Sequence, residues 1–350
     1  MKHNRINDLR ITKDKDLSRM LIVTVVIFVA MAALRPNLFL TGANFTSMGY
    51  QIPELGLYSL AFMVVLITGE FNLSIVATGN LACITAIKIM NVAVMRSYTG
   101  GVAWGYIILG SLAAIAVGVF CGWLNGFVVT FFKVPALLVT MATASIFTGL
   151  SIVLTEGRAL SGVPEELTYL GNHTLLGIPY ALWFLIIVFV VTAILLNYTK
   201  FGFELKFVGS NLKASRYTGI NVNRVRIKTY MFSGLISALC SIEILAHTNA
   251  AKADYADTYL GQAILCSVLG ATNPDGGYAR MSCMALAMIS LQFLSSGFNM
   301  LRLGGYFKEF TWGLLLIVVL SFDVISQEIK RRKSIREVTL DRVAVQSKGN

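Results

Sequence analysis

The sequence predicts an all-α, polytopic membrane protein with about ten transmembrane helices, some of them broken or re-entrant. Three observations carry that expectation. Of the 350 residues, 56% are hydrophobic and 13% charged, and mean hydropathy is +0.70, more apolar surface than a water-soluble core can hide. The apolar residues fall in runs close to the roughly 20 that a spanning helix needs. The net charge of +11 gathers at the termini and in one middle loop, flanking these runs. It forms no continuous patch for nucleic acid, which is therefore not an expected partner; membrane lipid is.

The runs lie, in chain order, near residues 18–35, 50–69, 73–95, 103–125, 134–155, 180–198, 225–247, 259–270, 280–298 and 308–327. A leader, 1–17, precedes the membrane domain, 18–327, and a basic tail, 328–350, follows it. The first run contains Ala30-Met31-Ala32, a small-residue pattern like a signal-peptidase site, but it reads as an uncleaved anchor because nothing downstream resembles a secreted domain. The eighth run is short for a crossing and reads as a half-helix or re-entrant segment. Such backbone is tolerated only where protein or water satisfies its polar groups. The five cysteines, Cys83, Cys121, Cys240, Cys266 and Cys283, sit in or beside apolar runs without CxxC spacing and read as packing thiols.

Lys and Arg placement sets the orientation. With a cytoplasmic N-terminus, ten spans return the C-terminus to the same side, and 22 of the 29 basic residues face the cytoplasm. These are six from Lys2 to Arg19, Lys133, seven from Lys200 to Lys228, Arg280, and seven from Lys330 to Lys348. The outward loop 156–179 carries Glu156, Glu165 and Glu166 against Arg158, as an acidic face for a soluble partner or as a solvated connector.

Chemistry is sparse. His3, His173 and His247 have neither metal-ligand nor triad spacing, and no GxxxxGK[ST] phosphate loop occurs. The chain reads as a transport subunit rather than an enzyme, with no catalytic residue, no metal and no cofactor of its own. Two segments stand out. In "LITGEFNLSIVATGN", residues 66–80, an acid and two amides interrupt the apolar pattern: Gly69 ends one helix, Asn72 caps the next, and Glu70 lies in the tight connection. Glu70 either stabilises that turn near a gate or touches the solute. In the cytoplasmic loop 199–228, Ser210 and Asn211 cap a short helix ended by Gly219. Small Ala214 and Ser215 would let a partner approach closely, with Lys213 and Arg216 reaching for acids.

These two segments, with "QAILCSVLGATNPDGGYAR", resemble the permease subunit of ribose-type ABC sugar importers, within the branched-chain-amino-acid/ribose permease superfamily. The likeness rests on three boxes in order on ten spans: Gly69-Glu70-Phe71-Asn72-Leu73-Ser74; Gly209-Ser210-Asn211 through Ala214-Ser215 to Gly219-Ile220; and Val268-Leu269-Gly270-Ala271-Thr272 through Gly276-Gly277 to Arg280. It runs in register from about residue 40 to 325. The resemblance implies coupling to an ATP-binding subunit through Gly209, Asn211, Ala214, Ser215, Gly219 and Ile220. Glu70, Asn72, Ser74, Asn80, Gln262, Asn273 and Asp275 become candidates for the translocation path or gate.

It also implies two ATP-binding subunits that consume ATP, a second permease copy or a paralogous permease, and a periplasmic or lipid-anchored solute-binding protein. The setting implied is the bacterial cytoplasmic (inner) membrane, with alternating access as the mechanism. Four positions depart from the family pattern: Glu70 replaces the second glycine, Asn72 the usual acid, Gln262 another acid, and Asp275 a small or apolar residue. The solute is read as a pentose or hexose, with an autoinducer-2-like furanose or a cyclitol as the alternative. A stand-alone secondary carrier using Glu70 or Glu243 is the rival class.

Thr140, Ala144, Ser145, Thr148 and Ser151 form a small-residue face on the fifth run, for close packing or for lining a path. Glu243 and His247, one turn apart, are read as a structural pair. Trp104, Trp123, Trp183 and Trp312 lie near span ends or within helices, and interface anchoring is the reading for most of them.

Overall fold

The computed structural model describes residues 2–321. Helix α1 spans Lys2–Leu34, α2 Pro36–Phe39, α3 Gly42–Leu66, α4 Ile75–Met95, α5 Gly101–Phe131 and α6 Ala136–Thr155. Then come α7 Glu165–Asn172, α8 Tyr180–Tyr198, α9 Lys200–Ser210, α10 Leu212–Tyr217, α11 Val222–Thr248, α12 Asp257–Leu269 and α13 Met281–Met300. Residues 305–321 are also helical. Strands are minimal: β1 Leu160–Ser161, β2 Thr174–Leu175, β3 Ile178–Pro179 and β4 Ala250–Ala251, paired antiparallel as β1 with β4 and β2 with β3.

Eight helices among the described residues are long and apolar enough to cross a membrane: the Asp16–Leu34 part of α1, and α3, α4, α5, α6, α8, α11 and α13. The eighth expected run is the 13-residue α12. The tenth begins within the 305–321 helix and passes, like the 328–350 tail, outside the described residues. The leader is helical and continuous with the first span.

Composition alone does not say which spans are central. Helix α3 is 83% buried over its span, and α4 and α11 are 72% buried, whereas α5, α6 and α8 bury a third or less. The central helices therefore bring their polar residues into the protein, and the outer ones turn residues such as Ile108, Leu138, Val153 and Ile187 outward. Helices α5 and α11 meet through a stripe of small residues. A Cβ on Gly118 or Gly122 would collide with the carbonyl of Gly234 or Tyr230, and one on Gly126 would sit 2.8 Å from the Ile227 Cα. In lipid, where apolar surface gains nothing by leaving the solvent, such close backbone approach is what holds helices together.

The short α12 has a physical explanation. Thirteen residues rise only about 20 Å, short of the roughly 30 Å hydrocarbon core. The missing length is supplied by the irregular segment 249–256, which runs down α4. At its start Asn249 Oδ1 accepts the N–H groups of Gly162 and Val163 at 3.2 and 2.8 Å, and Asn91 Nδ2 donates to the Ser161 carbonyl at 2.9 Å. Three turns along α4, Asn80 Nδ2 donates to the Ala253 carbonyl at 2.8 Å. Asn80 is thus one of the groups that satisfy non-helical backbone inside the bundle, as lipid could not.

Candidate functional site

The three sequence boxes meet at one end of the bundle. Helix α3 closes with two tight hydrogen bonds, Thr68 N–H to the Val65 carbonyl and Gly69 N–H to the Leu66 carbonyl, both 2.9 Å. Gly69 then takes a left-handed φ of +76°, which glycine adopts without steric cost. The Gly277 N–H reaches across from the third box to the Ile67 carbonyl at 2.8 Å. A Cβ on Gly69 would lie 2.9 Å from the Asp275 carbonyl oxygen, and one on Gly276 would lie 2.7 Å from the Gly69 nitrogen and 2.9 Å from the Gly209 oxygen. At Gly209 it would collide with the Ile67 carbonyl. Backbone packs directly on backbone here, so the 199–221 segment is seated against the end of α3 and the loop that follows α12.

Glu70 forms an ion pair with Arg226 of α11. Tyr230, one turn further along α11, is fully buried beside it. Asn72 is only 2% exposed. Its Oδ1 accepts from Ser74 N–H at 3.1 Å and Ser74 Oγ at 2.8 Å, and its Nδ2 donates to Ser233 Oγ at 3.1 Å. Ser233 Oγ donates onward to the Ala61 carbonyl at 2.8 Å, and Asn125 Nδ2 donates to Ser74 Oγ at 2.7 Å. The N-cap position of α4 is Ser74 rather than Asn72. Asn72 makes an Asx turn instead, because its side chain is drawn toward α11. This chain of bonds wires α3, α4, α5 and α11 together.

The remaining path candidates separate. Asn273 builds the third box, its Oδ1 accepting the Asp275 N–H at 3.1 Å and its Nδ2 donating to the Gly276 carbonyl at 3.1 Å. The Asp275 side chain is exposed beyond that loop. Gln262 lies elsewhere, on α12, in a cavity of about 200 Å3 shared with α3, α13 and the 305–321 helix.

The 199–221 segment holds more helix than the sequence indicates. Helix α9 packs under α10, and only then does Asn211 cap α10, with Oδ1 accepting the Ala214 N–H at 2.9 Å. Ser210 instead closes α9, donating to the Phe207 carbonyl at 2.9 Å. Gly219 has φ +79° and open space around it, as a helix-ending glycine should. Ser215 does not face outward: it is fully buried, and its Oγ donates to the Asn211 and Phe207 carbonyls at 2.7 and 3.1 Å. What α10 presents to solvent is Leu212, Lys213, Arg216 and Tyr217, the last 92% exposed. Between α9, the 218–221 turn that follows α10, and α11 lies a groove of about 710 Å3, in which Lys200, Arg224 and Lys228, with one acid, Glu204, surround Phe203, Phe207 and Ile220.

One further expectation holds and others change. The five cysteines are all buried and free. Glu243 and His247 do not pair. Both carboxylate oxygens of Glu243 and Nδ1 of His247 lack partners among the described residues, and the His247 ring instead lies 5.3 Å from the Tyr50 ring. The electrostatic neighbour of Glu243 is Glu54, a second buried acid, on α3. Trp312 is a tryptophan buried within the protein. It is 5% exposed and packs 6.0 Å from Phe298. On α6, Thr140 and Ser151 are buried while Ser145 is exposed, and Thr140 Oγ1 donates to the Phe71 carbonyl of the first box at 3.2 Å. In the acidic loop, Glu166 accepts the Gly100 N–H at 2.9 Å, so one of its acids serves the chain itself.

A family model described as branched-chain amino acid transport system / permease component matches residues 44–320. The chain belongs to this permease family. It is 29% identical to the L-arabinose transport system permease protein AraH of Escherichia coli (strain K12), over 89% of this chain and 92% of that one. It is 26% identical to the Autoinducer 2 import system permease protein LsrC of Yersinia enterocolitica, over 91% and 87%. It is 27% identical to the Ribose import permease protein RbsC of Bacillus subtilis (strain 168), over 85% and 89%. Membership and the eight apolar helices make this a multi-pass membrane protein. Sequence reasoning missed Arg226, Gln51, Gln292 and Glu54. Only Glu54 carried a signal, an acid inside an apolar run; the others matter through partners distant in sequence.

Proposed function

We propose that this chain is the membrane permease of an ATP-driven importer that moves a sugar or sugar-like polar solute into the bacterial cytoplasm by alternating access. The observation carrying this reading is the backbone interlock of Gly69, Gly209 and Gly276–Gly277, which gives the α9–α10 segment a mechanical grip on α3 and α12. The relatives, named for arabinose, ribose and autoinducer 2 transport, support a sugar-like solute.

In this reading two ATP-binding subunits dock on α10 and the adjoining basic, aromatic groove, with Tyr217 as the protruding contact. They bind and hydrolyse ATP. A second permease copy or a paralogue completes the path, and a periplasmic or lipid-anchored binding protein delivers solute. Both termini and the 199–228 loop lie in the cytoplasm, the arrangement that puts the basic clusters inside. Glu70, Asn72 and Ser74 belong to the gate's frame, where they hold helices in register, rather than to a solute contact. Inward motion of α10 would pass through Gly209 to the ends of α3 and α12, which rock about the broken crossing at 249–272.

The test is co-purification with an ATP-binding subunit, followed by transport in proteoliposomes. Uptake that requires internal or external ATP on the subunit side and survives a protonophore supports the reading. Uptake by this chain alone that a protonophore abolishes would replace it with a secondary carrier.

A further inference from the structure

The cavity around Gln262 lies within the outer half of the bundle in the proposed orientation, on α3, α12, α13 and the 305–321 helix. Three carboxamides line it: Gln51, Gln262 and Gln292. Gln292 is 3% exposed, and its Nε2 donates to Gln51 Oε1 at 3.0 Å, while Gln51 Nε2 donates to Ser47 Oγ at 3.1 Å. That chain fixes two of the amides and leaves the Gln292 carbonyl oxygen without a donor among the described residues. The Gln262 amide makes no side-chain hydrogen bond there at all, although it sits on a central half-helix.

Two aromatic side chains, Tyr259 and Trp312, complete the wall. Both are rigidly backed: the Tyr259 ring stacks 6.2 Å from Tyr58, and Trp312 packs on Phe298. The charged lining residues, Lys308 and Glu309, are of opposite sign. At about 200 Å3 the space is below the roughly 300–1,000 Å3 of sites for drug-sized ligands.

We infer that this cavity is a transient binding site for the transported solute, an uncharged polyhydroxy compound held by the amides of Gln51, Gln262 and Gln292 against Tyr259 and Trp312. Carboxamides both donate and accept, as hydroxyl groups do, and aromatic faces cover the C–H side of a sugar ring while staying tolerant of water. A lining without net charge excludes charged solutes by desolvation. The inference rests on the importer reading and locates its solute contacts here, away from Glu70 and Ser74.

The test uses whole cells in which the chain is restored to a strain lacking it, with uptake measured for labelled L-arabinose, D-ribose and myo-inositol. Monodeoxy analogues of whichever is taken up then serve as competitors. Gln262→Ala and Gln292→Leu are each expected to lower uptake at limiting concentration about tenfold, equivalent to about 1.4 kcal/mol or one hydrogen bond, at unchanged amounts of chain in the membrane. Gln262→Asn should recover part of it. In Gln262→Ala at least one deoxy analogue should compete as well as its parent, because the bond that told them apart is gone. Wild-type uptake by Gln262→Ala, with undiminished discrimination against every deoxy analogue, would overturn the site while leaving the importer reading intact. If Gln292→Leu fails to accumulate, Gln262→Ala decides. Failure of the wild-type chain to take up any of the three would show before any variant is made, and would overturn the sugar reading and this site together.

Discussion

Glu70 and Arg226 form an ion pair that joins the turn after α3 to the first turns of α11, with 13% and 17% of their side chains exposed. The acid that interrupts the apolar pattern is thus neither turned to lipid nor left alone in the turn. Glu70→Gln leaves the Arg226 guanidinium without its carboxylate and should lower stability by about 1–3 kcal/mol. Thermal unfolding in detergent measures this. The solute transported should not change, and Glu70→Arg combined with Arg226→Glu should regain much of the loss.

Gly209 and Gly219 lie on one segment but should respond in opposite ways. At Gly209 even one methyl meets the Ile67 carbonyl, and backbone cannot rotate aside, so Gly209→Ala should abolish stable accumulation. At Gly219 there is open space but a φ of +79°, where a side chain costs about 1–2 kcal/mol locally. Gly219→Val should insert normally and lose solute-stimulated ATPase in the assembled transporter. Immunoblots of membranes and an ATPase assay separate the two outcomes.

Asn72 serves three hydrogen bonds at once. Asn72→Ala should cost about 1–3 kcal/mol, the penalty of leaving buried donors and acceptors unmade. The Ser233→Ala background should shrink that cost, since the Nδ2 partner is already absent. A double-mutant cycle on melting temperature in detergent gives the coupling directly.

Glu243 presents the reverse case. Its oxygens have no partner among the described residues and its acidic neighbour is Glu54, so Glu243→Gln replaces a buried, unpartnered acid without breaking a bond. The variant should accumulate at least as well as wild type and melt no lower. A clear fall in melting temperature of the chain would show that the carboxylate does hold a partner within it and would overturn this prediction.

Much of this was legible in the chain. Composition places it in lipid, the apolar runs locate the spans, and the shortness of 259–270 marks α12 as incomplete. Gly219 is recognisable as a helix stop and Asn211 as a cap, because those features depend on neighbours within four residues. Asn72, which the local pattern offers as a cap, makes an Asx turn for the complementary reason. Its side chain answers to Ser233, on another helix, as well as to the turn it sits in. The Glu243 and His247 pairing failed likewise, since helical spacing permits contact without requiring it.

By itself, then, the sequence determined that this is a many-span membrane protein with one basic loop, and where along the chain its apolar runs lie. Periodicity, hydropathy and capping are local properties of a chain, and lipid enforces them on each segment separately. Only the tertiary structure decided that Gly69, Gly209 and Gly276 would touch, that Arg226 would answer Glu70, and that Gln51, Gln262 and Gln292 would share one cavity. Those contacts join segments far apart along the chain, and in a bilayer their selection comes from close packing and hydrogen bonding between helices, which no single segment encodes.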